Sequence, residues 1–126
     1  MPTWSDAWLF MALSLGNGEL SEVIAVADGL NHAIPTPDEW MSALQVLGSR
    51  GLIDHTEPLP RLTGLGRKTI RGFRASHMSF AALAAKLSSL PIVDEEPFPA
   101  PSTEMLQDGF KTYESRAWKL INRKRS

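Results

Sequence analysis

The sequence predicts a mostly α-helical chain with one small antiparallel pair of strands near its middle and further helices toward the C-terminus. Three observations carry this. Two Thr-x-x-acid boxes, Thr3/Asp6 and Thr36/Glu39, stand at the heads of apolar-rich segments, the spacing at which a hydroxyl and a carboxylate cap a helix start reciprocally. Trp40, Ala43, Leu44 and Leu47 recur at i, i+3, i+4 and i+7, which is one helical face. Leu52-Ile53 and Arg61-Leu62 flank DHTEPLP, a turn holding two prolines, as short strands flank a connection.

The elements follow in order. A first helix is expected over Ser5 to Leu15, with Trp8, Leu9, Met11, Ala12 and Leu15 on a wide apolar face, ended by Gly16-Asn17-Gly18, residues that accept positive φ cheaply. Ser21 is placed as the cap of a second helix, Glu22 to Asp28, with Gly29 as its stop. After the connector LNHAIP, Thr36 caps a third helix, Pro37 suits its first position, and Gly51 stops it just after Arg50, a cation at the negative end of the helix dipole. Thr63 caps a fourth, roughly Gly64 to Arg74, containing Leu65, Ile70 and Phe73. A fifth is expected within residues 76 to 90, with Phe80, Leu83, Ala84, Leu87 and Leu90 as its stripe. PIVDEEPFPAP is a linker, because its prolines and consecutive acids sustain neither helix nor central strand. Ser102 caps a last helix to about Asn122, with the stripe Leu106, Phe110, Tyr113, Ala117 and Ile121.

The stretch GSRGLIDHTEPLPRLTGLGRKTI, Gly48 to Ile70, resembles the end of the third helix, the wing and the following helix of a winged helix-turn-helix domain. Leu44, Leu47, Gly51-Leu52-Ile53 and Leu62-Thr63 with Gly66 carry the resemblance, which is to bacterial regulators of the PadR and MarR kind. It implies a winged-helix domain over residues 1–75 and a helical extension over 76–126 that builds a dimer. The connector Leu30 to Pro35 is longer than the turn of a tight helix-turn-helix. Pro58 and Pro60 keep the wing strands short.

The resemblance also implies DNA-contacting positions. With Trp40, Ala43, Leu44 and Leu47 inward, the third helix turns Asp38, Glu39, Ser42, Gln45, Val46 and Ser49 outward. Ser42, Gln45 and Ser49 are the candidates for the groove; Ser42 and Gln45 carry groups that hydrogen-bond base edges. Asp38 and Glu39 repel phosphate there and serve the helix start instead. Arg61, Arg67, Lys68 and Arg71 are the candidate phosphate contacts, joined by Arg74, with Arg67, Arg71 and Arg74 on one helical face. A solvated face is the competing reading of these cations. Phe80, Leu83, Leu87, Leu106, Phe110 and Tyr113 are the candidate dimer contacts, against a fold-back onto their own core. A second basic cluster, Arg116, Lys119, Arg123, Lys124 and Arg125, closes the chain, where cations stabilise a helix end in any case.

Composition bounds the rest. The 126 residues carry 13 Lys plus Arg against 14 Asp plus Glu, a net charge of −1, so the chain as a whole has no pull toward nucleic acid. With no cysteine, disulfides, thiolate metal sites and Cys nucleophiles are excluded. The longest apolar run, Ala7 to Leu13, is too short to span a bilayer, and MPTWSDAW lacks the basic start of a signal peptide. A cytoplasmic protein without membrane association is expected. His32, His55 and His77 form no metal-binding pair. TGLGRKT has Arg67 where a phosphate-binding loop needs glycine before its lysine. No catalytic constellation, metal or cofactor is expected. The expected partners are double-stranded DNA, a second copy of the chain, or a different protein docking on a winged-helix module that does not bind DNA.

Overall fold

The computed structural model describes residues 2–16, 20–31, 35–54, 60–75, 79–94, 109 and 111–113. The fold is mostly helical with one two-stranded antiparallel sheet: α1 (Trp4–Leu15), α2 (Leu20–Asn31), α3 (Pro37–Ser49), β1 (Ile53–Asp54), β2 (Arg61–Leu62), α4 (Gly64–Ala75) and α5 (Phe80–Ser89).

Both capping boxes form. In α1 the Thr3 N–H donates to Asp6 Oδ2 at 2.8 Å and the Asp6 N–H to Thr3 Oγ1 at 3.3 Å. In α3 the Thr36 N–H donates to Glu39 Oε1 at 3.0 Å and the Glu39 N–H to Thr36 Oγ1 at 3.1 Å. Each box satisfies two amide donors that a helix start otherwise leaves unpaired.

α1 is the axis of the molecule. A single wide face is expected from its sequence, yet every residue from Asp6 to Leu13 is buried, because α2, α3 and α5 pack around it and α4 and β2 touch it as well. A helix apolar on all sides belongs in such a position. Leu15, expected inward, lies past this collar and is 44% exposed. Gly16 ends α1 at φ −73°. Its requirement is space rather than a left-handed turn, since a Cβ there would stand 2.5 Å from Val23 Cγ2.

α2 is longer than expected. Ser21 lies inside it, buried, and the helix continues through Gly29 to Asn31. An interior glycine costs only about 1 kcal/mol, too little by itself to stop the helix, and Gly29 and Leu30 stand exposed in its last turn. Val23, Ile24 and Ala27 are buried, and Trp8 Nε1 donates to the Ala27 carbonyl at 2.9 Å.

α3 buries Trp40, Ala43, Leu44 and Leu47, the expected stripe. Its end is a Schellman motif: the Gly51 N–H donates to Gly48 O at 3.1 Å and the Leu52 N–H to Leu47 O at 3.0 Å, with Gly51 at φ +72°. Leu47 and Leu52, both fully buried, supply the hydrophobic contact that accompanies this turn.

The sheet pairs Ile53 with Leu62 and Asp54 with Arg61. β1 is thus set one residue beyond the expected Leu52-Ile53, although the Thr63 N–H still reaches the Leu52 carbonyl at 3.0 Å. Thr63 joins three elements. Its Oγ1 donates to Gly51 O at 2.6 Å and accepts the Gly66 N–H at 3.1 Å, and its carbonyl accepts the Arg67 N–H at 2.9 Å.

α5 begins at Phe80 behind the cap Ser79, whose Oγ accepts the Ala82 N–H at 3.1 Å. Leu83, Ala84 and Leu87 enter the same core cluster as α1, α2 and α3, with Tyr113 packed against it. The core therefore crosses the domain boundary expected at residue 75. Residues 109 and 111–113 are helical; the rest of the expected last helix, with Leu106, Phe110 and the basic cluster from Arg116 to Arg125, lies outside the described residues. Among the described residues no helix is long and apolar enough to cross a membrane.

Candidate nucleic-acid interface

The basic surface is built by β2 and α4. Residues 60–75 hold five of the 13 lysines and arginines and no carboxylate, so the remainder carries eight cations against 14 acids. Arg61, Arg67, Lys68, Arg71 and Arg74 are all exposed. The near-neutral total hides a segment of strong positive charge, which is the local clustering that phosphate binding needs.

α4 presents these cations on two sides. Arg67, Arg71 and Arg74 line an open cleft of about 220 Å³ together with Ser14, Leu62 and Ile70. Arg67 Nη1 donates to the Leu62 carbonyl at 2.8 Å, which fixes its guanidinium over β2. Arg71 and Arg74 make no hydrogen bond or ion pair among the described residues. Lys68 lies on the other side, along a groove of about 420 Å³ that α4 shares with α5.

The outward positions of α3 are more occupied. Ser42 Oγ donates to Asp6 Oδ1 at 3.0 Å, and Ser5 Oγ donates to Glu39 Oε2 at 2.9 Å. The first turns of α3 are thereby tied to the head of α1. The Thr36 amide bond holds the Glu39 carboxyl below its usual value, burial opposing this and the Ser5 hydroxyl reinforcing it. Asp38 is exposed and Gln45 half-buried. Ser49 Oγ donates to Val46 O at 3.0 Å and accepts from Arg50 Nη1 at 3.1 Å. Ser49 is also roofed by returning chain, since its carbonyl accepts the Val93 and Asp94 amides at 2.8 and 3.2 Å.

The described positions among those considered for a dimer are engaged within the chain. Leu83 and Leu87 are fully buried in its core. Phe80 meets Trp4 edge-on at 5.1 Å and stacks on Phe73 at 6.1 Å. Tyr113 donates its hydroxyl to Asp28 Oδ2. Leu106 and Phe110 are outside the described residues, as are His32, His55 and His77. Among the described residues no group of acids and histidines is arranged to hold a metal ion.

One side chain has a larger role than its sequence position suggests. Arg50 is buried, with Nε donating to Leu87 O at 2.8 Å and Nη1 to Val46 O at 3.1 Å. It bonds the carbonyl ends of α3 and α5 together. A cation just before the stop glycine announces a dipole partner, but nothing in the sequence pairs residue 50 with residue 87.

No family model, no curated protein and no solved structure matches the chain.

Proposed function

We propose that the chain is a DNA-binding protein of winged-helix type, a regulator that holds the sugar-phosphate backbone with β2 and α4. The observation that carries this is the run of five exposed cations over residues 60–75 with no carboxylate among them. The element order supports the winged-helix reading: a capped helix, a Schellman turn, a two-stranded flap and a following helix whose cap Thr63 closes the flap. The occupied hydroxyls of Ser42 and Ser49 and the exposed Asp38 indicate an interaction made chiefly with phosphates, so affinity should depend weakly on sequence and strongly on salt.

A mixed-sequence duplex followed by fluorescence anisotropy tests this. Binding is expected at about 50 mM salt, falling by about a hundredfold at about 200 mM if four phosphates are neutralised. Arg71→Ala should weaken unrelated duplexes alike and lower the salt slope by about one. The absence of any complex at the lower salt, with the protein folded, overturns the proposal.

One observation favours a second reading, a winged-helix module that binds protein. The exposed start of α3 is acidic, with Asp38 beside Glu39, and suits a basic partner better than DNA. Asp38→Asn separates the two: it should strengthen binding to duplex and weaken binding to a basic protein surface.

A further inference from the structure

We infer that the groove between α4 and α5 is a binding site for a small anionic amphiphile, a molecule with an apolar chain and one carboxylate. This goes beyond nucleic-acid binding and uses the other side of α4. The groove encloses about 420 Å³, within the several hundred Å³ common for small-molecule sites. Its apolar lining comes from Leu65 and Phe73 on α4 and from Leu83 and Leu90 on the α5 side. Leu65 is 46% exposed, although a leucine on a helix serving only the core would turn inward. Gly72 keeps the groove open: a Cβ there would meet nothing within 4 Å.

The charge on the rim selects the ligand. Lys68 stands on α4 and Lys86 on α5, and among the described residues no carboxylate lines the groove and neither ammonium is paired. An apolar trough with a cation from each wall complements an apolar body with an anionic head. It opposes a cationic head and offers a neutral one hydrogen bonds without charge pairing, the weaker interaction. The groove is concave and of limited volume, which favours a chain of about ten carbons over a folded macromolecular surface.

Decanoate and decyltrimethylammonium are the matched probes, titrated into the full chain by calorimetry with amide chemical shifts as the second readout. Saturable one-to-one binding of decanoate is expected, with shifts at Leu65, Gly72 and Leu83, and the cationic probe should bind at least about tenfold more weakly. Lys86→Gln should weaken decanoate by about three- to tenfold. Gly72→Leu fills open space with a better helix former, so it should abolish binding while leaving the melting temperature unchanged or raised. The inference is overturned by no saturable decanoate binding, by equal binding of the two probes, or by unaltered binding in a folded Gly72→Leu protein. It is overturned equally if an acidic amphipathic peptide saturates the groove and decanoate does not, which would assign the surface to a protein partner.

Discussion

Tryptophan and tyrosine show how position, rather than residue type, sets what a side chain does here. Trp8 and Trp40 are both 1% exposed. Trp8 Nε1 has the Ala27 carbonyl as its acceptor, whereas Trp40 Nε1 has none among the described residues. The apolar pattern identifies both as core, and no pattern distinguishes the satisfied indole from the other. Tyr113 is the single tyrosine, so its ionisation can be read alone by ultraviolet absorbance. Burial first, and then the hydrogen bond and charge of Asp28, push its hydroxyl up to about 12. A raised folded value means that the stability supplied by the neutral phenol is complete below the unfolded value of about 10 and is lost as pH rises toward 12. The folded protein should therefore titrate about two units above the protein in denaturant. Asp28→Asn should return part of that difference, not all, because burial remains. A midpoint near 10 in the folded state would show that Tyr113 is not docked on α2.

The helices whose ends are chemically marked were the most legible. Thr3, Thr36 and Gly51 stand where their hydrogen bonds and positive φ require them. α2 was legible in kind but not in length, since Gly29 looks like a stop and the helix runs past it to Asn31, an interior glycine costing only about 1 kcal/mol. The junction of sheet and α4 turns on a glycine whose reason lies in another element. A Cβ on Gly66 would overlap the Leu52 carbonyl oxygen, the acceptor of the Thr63 amide. Helix propensity alone says that Gly66→Ala stabilises α4 by about 1 kcal/mol. Steric overlap with backbone says that it destabilises by about 2–4 kcal/mol, because neither the sheet nor the helix start can yield cheaply. Gly72→Ala, in the same helix but facing open space, should show the gain. Urea unfolding of the two variants decides the matter by sign, and a stabilised Gly66→Ala protein would mean that α4 does not approach Leu52 this closely.

For the molecule as a unit, the decisive fact is that α1 packs against elements from both parts of the chain. The resemblance to a winged-helix domain suggests a unit complete at residue 75, with the later helices as an appendage. The candidate site was legible only in part for the same reason. The cations of residues 60–75 could be read from the sequence, but the hydroxyl of Ser42 meets Asp6, 36 residues away, and no local pattern encodes that pairing. Likewise α5 looks like an amphipathic helix with a stripe for a partner, and the partner is α1.

A chain ending at residue 75 tests whether α5 belongs to the fold or is attached to it. Its loss would uncover the side of α1 that Leu83 and Leu87 cover, each burial contributing about 1.5–3 kcal/mol. It would also take away the Leu87 carbonyl, the acceptor through which Arg50 Nε ties the end of α3 to α5, a hydrogen bond from a charged group contributing about 1.5–3 kcal/mol. Against a net stability of about 5–15 kcal/mol for an ordinary domain, losses of this size are decisive. Residues 1–75 should therefore show no cooperative thermal transition and poorly dispersed amide signals. Residues 1–94, which restore α5 and the bonds from Val93 and Asp94 to Ser49, should recover cooperative unfolding. A sharp transition in the shorter chain, within a few degrees of the longer one, would mean that α1, α2, α3, the sheet and α4 suffice, and that Leu83 and Leu87 can be released for an interface between chains.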